Sequence, residues 1–189
     1  MRKSTLSLAM SLAALAFSAN LKAQDTNADN HTITITVPEV ALVDIEPAAN
    51  KNITLGFTAP TEAGLPVTPT GTNNTLWLNY SSIKSTANAT RNVSVQLNAL
   101  IPGIDINVTA AAATGAGGGD LGNPSAQLTL SAADQTIISG IGSAYTGDGA
   151  NNGHNLTYSL ASIGGIANYA DLEATSTAVA TVTYTISDN

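Results

Sequence analysis

Residues 31–37 read HTITITV, residues 91–97 read RNVSVQL and residues 178–186 read AVATVTYTI. In each, apolar and polar side chains alternate, and successive side chains of an extended chain point to opposite faces. That pattern suits a strand with one face covered and one face wet, whereas a helix repeats its apolar residues at spacings of three and four. Residues 40–45 (VALVDI), 53–58 (ITLGFT), 75–81 (TLWLNYS), 104–108 (IDINV), 127–130, 136–141 and 155–160 are predicted as further short strands. Turn chemistry separates them: Pro47 opens one turn, and residues 60–74 hold Pro60, Pro66 and Pro69 with Gly64 and Gly71. About nine or ten short strands joined in this way predict an all-β fold, an Ig-like antiparallel β-sandwich. The sparse charge, 10% of the chain, agrees, because solvent-exposed helices are built largely from charged residues. Two glycine-rich stretches, 110–125 and 142–154, are expected as loops, the first of them flexible, and residues 167–174 as a helical turn.

The N-terminus carries a second kind of information. Arg2 and Lys3 precede an uncharged, mostly apolar run over residues 6–19, and Ala23 follows as a small residue. This is the layout of a secretory signal peptide cut after Ala23. A polar leader, 24–30, and one domain, 31–189, would then follow. The apolar run is shorter than the roughly 20 residues a membrane-spanning helix needs, and no later segment is a better candidate. An exported protein without a transmembrane segment is therefore expected, in the periplasm, outside the cell or on its surface (a fimbrium or the outer-membrane exterior).

The chain has no cysteine, so no disulfide can staple it and the fold must rest on packing. Once the signal peptide is removed, Lys51, Lys84 and Arg91 are the only bases against 13 acids, a balance of −10. Three bases cannot neutralise a phosphate backbone, which excludes nucleic acid as a partner.

Several residue patterns invite a chemical reading and lack the context it needs. Ser81 and Lys84 fit S-x-x-K, and Ser187-Asp188-Asn189 spells S-D-N, but the helix start and K-T-G strand of serine β-lactamases are missing. Gly117, Gly119 and Gly122 fit G-x-G-x-x-G, yet Asn123-Pro124 follows at once where a phosphate-binding helix would have to begin. Asp148, Asn151 and Asn152 offer hard oxygen ligands with a single carboxylate, too few for calcium unless Asp120 joins them. His31 and His154 have no ligand spacing between them and are expected at the surface. Asn-x-Ser/Thr triplets such as those at Asn52, Asn92 and Asn155 follow from composition. No nucleophile, base and orienting group can be named together, so no catalytic residue, metal or cofactor is expected.

Two candidate sites remain. Trp77 and Tyr80 on one strand, with Tyr145 in the second glycine-rich loop, are the aromatics available to a ligand, although Leu76 and Leu78 beside Trp77 also suit it to packing. Ile33, Ile35 and Val37 form the apolar face of the first alternating segment, immediately after the leader. Such a strand either pairs within its own domain or is donated to another subunit, where main-chain hydrogen bonds give affinity and alternate side chains set the register.

The opening HTITITVPEVALVDI (31–45) resembles the cysteine-free fimbrial major subunits of the alternate chaperone–usher type, whose mature chains begin with a similar alternating segment. The close NYADLEATSTAVATVTYTISDN (168–189) is similar to the final strand of fimbrial and spore-coat-type domains. The Thr/Val opening and Thr-rich closing strand also resemble WxL-type surface domains, with Trp77-Leu78 and Tyr184-Thr185-Ile186 as the nearest motifs and the full Trp-x-Leu absent. These resemblances imply an Ig-like sandwich used as a structural or adhesive surface module. Its partners would be copies of itself or other surface subunits, with a periplasmic chaperone during assembly. A secreted module that binds carbohydrate or another surface ligand through the loops at 115–123 and 142–155 is the alternative.

Overall fold

The computed structural model describes residues 27–160, 169–175 and 178–189. The expected signal peptide, residues 24–26 of the leader and residues 167–168 of the expected turn lie outside them. The chain separates into two units, Met1–Thr36 and Val37–Asn189. In the first, residues 27–36 are exposed throughout and belong to no strand. The expected half-buried strand over 31–37 is thus corrected: its alternation is present, but no ladder among the described residues includes it. Alternation specifies that one face will be apolar; it does not specify what covers that face.

The second unit is all β. Its strands are β1 (Val40–Glu46), β2 (Phe57–Thr58), β3 (Thr68–Pro69), β4 (Thr72–Ile83), β5 (Arg91–Leu97), β6 (Ile106–Ala110) and β7 (Gly118–Gly119). They continue with β8 (Asn123–Pro124), β9 (Leu128–Thr129), β10 (Gln135–Ile141), β11 (Ala144–Tyr145), β12 (His154–Leu160) and β13 (Val182–Asp188). One sheet runs β7-β11-β4-β12-β6-β9, with β1 also paired to β4, and a second runs β13-β5-β10-β8. β2 and β3 form a small separate hairpin. Every ladder is antiparallel.

The core lies between the two large sheets. Leu76, Leu78 and Tyr80 of β4, Val108 of β6 and Leu156 and Tyr158 of β12 meet Val93, Val95 and Leu97 of β5 and Ile137, Ile138 and Ile141 of β10. Each aliphatic side chain buried in this way contributes about 1.5–3 kcal/mol, which is how the sandwich holds without disulfides. The alternation of RNVSVQL becomes the strict burial alternation of β5, and the closing strand begins at Val182 and runs to Asp188. The expected turn near 167–174 is a single one, with Leu172 N–H donating to Tyr169 O at 3.2 Å.

The two glycine-rich stretches are not free loops. Gly118 and Gly119 pair with Tyr145 and Ala144, and Asn123 and Pro124 pair with β10. Gly119 sits at φ +88°, and a Cβ there would stand 2.2 Å from Ser143 O. Glycine is needed here because the two backbones touch, not because the segment is slack.

Candidate functional site

Ile33, Ile35 and Val37 are 72%, 80% and 68% exposed. Each Ile or Val left in water forgoes the burial energy that drives folding, so three of them in alternating register form a face without a cover.

The sandwich also has an uncovered edge. β13 pairs only with β5, and β1 only with β4, so among the described residues the outer edge of each pairs with no strand. Between these two strands lies a cleft of about 160 Å³, lined by Val43, Ile45, Val182 and Tyr184 with Asp44 and Lys51. Val43, Ile45, Val182, Tyr184 and Ile186 pack against the core while staying only partly buried. Here the core reaches solvent beside unpaired backbone N–H and C=O groups, the condition under which an edge accepts another strand. Burial pushes the Tyr158 hydroxyl up to about 12, and Tyr158 Oη lies 2.6 Å from Tyr184 Oη behind the cleft.

Arg91 closes one end of this edge. Its side chain is 2% exposed, and its Nε donates to Asp188 Oδ1 at 2.8 Å. Nη1 donates to Val40 O at 2.7 Å, Ile83 O at 2.8 Å and Ser82 Oγ at 3.2 Å, and Nη2 donates to Glu39 Oε1. One guanidinium therefore ties the start of β1 and the end of β4 to the end of β13, across both sheets. Arg91 has the same parity as Val93, Val95 and Leu97, so it points inward; that parity was the signal that could have marked it in the sequence. Nearby, the Lys51 ammonium donates to Asp44 Oδ1 at 2.6 Å and holds the Asp44 carboxyl below its ordinary value.

Of the three ligand-candidate aromatics, Tyr80 and Tyr145 border one groove and Trp77 does not. Tyr80 shares the inward parity of Leu76 and Leu78 and is buried in the core. Trp77 has the opposite parity and is half-buried on the outer face, in the row Glu46–Trp77–Asn155. Tyr145 stands on the same outer face, 56% exposed, directly opposite Ser81, which is itself opposite Leu42. A groove of about 330 Å³ runs there, lined by Leu42, Asp44, Asn79, Ser81, Tyr145 and Asp148 among others.

His154 corrects another expectation, because it is fully buried rather than at the surface. It too has the inward parity of its strand, with Leu156 and Tyr158. Its Nδ1–H donates to Ala111 O at 2.8 Å, and its Nε2 lies 2.9 Å from Tyr80 Oη, whose proton is also directed at Leu121 O. Burial lowers the His154 pKa, opposed in part by the Ala111 hydrogen bond, and burial raises that of Tyr80 with help from Asp120. The pair resembles an acid–base dyad in composition, yet a ring with no exposed surface cannot meet a substrate.

The remaining motifs are structural. The Asn152 side chain donates to Asp148 O at 2.7 Å and accepts from Ala116 N–H at 2.9 Å, so it ties two loops together. Gly117 to Gly122 opens no helix. Among the described residues, no group of three or more His, Asp or Glu side chains gathers as metal ligands do. Comparison with family models, with curated proteins and with solved structures produced no match.

Proposed function

We propose that this chain is an exported, non-enzymatic subunit of a surface assembly that polymerises by strand donation. Residues 31–37 of one copy lie along the open β1–β13 edge of the next. The observation that carries this reading is the exposed, unpaired alternating face of Ile33, Ile35 and Val37. The edge suits it: β13 is seven residues long, as is the donated segment, and its inward residues Val182, Tyr184 and Ile186 leave the core open beside an unpaired ladder. Covering three such side chains is worth about 5–8 kcal/mol before the ladder hydrogen bonds are counted. The resemblance to fimbrial major subunits supports the same reading.

The test is Ile35→Asp in the mature chain from Gln24, followed by light scattering across a concentration series. Ile35 is 80% exposed, so the monomer should fold as before, while a carboxylate is costly to bury among Val43, Ile45, Val182 and Tyr184 and polymers should disappear. Polymer formation unchanged by Ile35→Asp would sink the proposal.

A further inference from the structure

On the outer face of the larger sheet, the register sets three side chains in one row: Leu42 on β1, Ser81 on β4 and Tyr145 on β11. Adjacent strands lie about 4.8 Å apart, so the Cα atoms of Leu42 and Tyr145 stand roughly 10 Å apart with Ser81 between them. Leu42 is 65% exposed and Tyr145 56%, so both apolar walls face solvent. The Tyr145 ring is held against Gly118, whose missing side chain leaves room for it: a Cβ there would lie 3.3 Å from Cε1 and Oη of the ring. This is an aromatic surface kept in place.

The polar lining is rich in acceptors. Asp44 lies opposite Asn79 in the neighbouring row, and Asp148 lines the same groove. Asn79 is 5% exposed; its Nδ2 donates to Asn152 O at 2.6 Å, and its Oδ1 has no hydrogen-bond partner. A buried amide oxygen without a donor is uncommon, and this one lies beneath the floor of the groove rather than on its surface. Asp44 is already paired with Lys51. That pairing neutralises one of the two carboxylates of the groove, and the other, Asp148, argues against an anionic ligand. An uncharged molecule with many O–H donors and one C–H face matches walls of Leu42 and Tyr145 above a floor of oxygen acceptors.

We infer that this groove is a binding site for a neutral pyranose sugar, with Tyr145 and Leu42 against its C–H surface and Asp148 and Ser81 accepting its hydroxyl protons. The contacts assigned to the sugar, Leu42, Ser81, Tyr145 and Asp148, lie outside the β1–β13 cleft, although groove and cleft share Val43 and Asp44 where they meet along β1.

The test is saturation-transfer NMR on the mature chain with glucose, galactose, mannose and N-acetylglucosamine, each titrated separately, using n-butylamine as a cationic control. At least one sugar should bind with a Kd of about 1–10 mM, a normal strength for a shallow one-ring site. Tyr145→Ala should weaken it tenfold or more, Tyr145→Phe should keep it, and Asp148→Asn should weaken it several-fold, all with an unchanged melting temperature. The Ile35→Asp chain should bind as the wild type does, which separates this site from assembly. Absence of binding by all four sugars would overturn the inference. So would sugar binding indifferent to Tyr145→Ala, or displacement of the sugar by n-butylamine.

Discussion

Replacing Arg91 by methionine removes a guanidinium that is 2% exposed while keeping most of the volume of its stem. The two acids it pairs with are not buried with it: the Glu39 and Asp188 side chains are 50% and 43% exposed, so water can solvate both once the arginine is gone. The loss is concentrated on the other acceptors, Val40 O, Ile83 O and Ser82 Oγ, which Nη1 satisfies where β1, β4 and β5 converge. An acceptor left without a donor in a buried place costs about 1–3 kcal/mol, and removing one partner of a buried ion pair costs about 3–5 kcal/mol. Relief of the acids by solvent places Arg91→Met toward the lower end, at about 3–4 kcal/mol. Exposed ion pairs contribute about 0–1 kcal/mol, so Glu39→Gln and Asp188→Asn should each cost no more than about 1 kcal/mol. Urea denaturation of the chain from Gln24 and its variants measures all three, and for a domain of this size a loss of about 3–4 kcal/mol corresponds to a fall of roughly 6–16 °C in melting temperature. If Arg91→Met lies within 1 kcal/mol of wild type, or if the acid variants cost as much as it does, the carbonyl-anchoring account of Arg91 is wrong.

Two further outcomes test the core and the loops. Gly119→Ala places a methyl group 2.2 Å from Ser143 O at φ +88°; a loss of at least about 2 kcal/mol in urea is expected, and a neutral substitution would show that β7 and β11 do not touch. His154 has a folded pKa below its ordinary 6.5, so folding favours the neutral ring. That contribution is complete above pH 6.5 and is lost as the pH falls through the lower folded value. Urea stability should therefore decline on acidification below pH 6.5 in the wild type and not in His154→Gln, whereas Asp44 acts only in a separate window below its ordinary 3.8. Stability that rises on acidification would mean that a second ring proton, satisfying Tyr80 Oη and freeing its hydroxyl for Leu121 O, outweighs burial.

The fold class was legible because a strand's periodicity is local. In RNVSVQL the face of each residue follows from its neighbours two positions away, and β5 spans the same residues, Arg91 to Leu97. Parity also contained more than residue type suggests: it places Arg91, Tyr80 and His154 inward, where their polar atoms required partners from distant segments. Those partners could not be read locally. Val40 O, Leu121 O and Ala111 O are backbone atoms, identical at every position of the chain until the topology selects them. The glycine-rich stretches failed for a related reason, since a run of glycine has no side-chain alternation and only the approach of Ser143 to Gly119 shows why it is there. Neither the row of Leu42, Ser81 and Tyr145 nor the opening between β1 and β13 exists in one segment; register across three strands made the first, and two edges that pair with no strand among the described residues made the second. The sequence by itself determined which residues alternate, and hence that the chain forms strands with one apolar face. Tertiary structure alone decided which of those faces were covered, because burial depends on what another part of the chain brings to it. Ile33, Ile35 and Val37 carry the same alternation as β5 and remain in water.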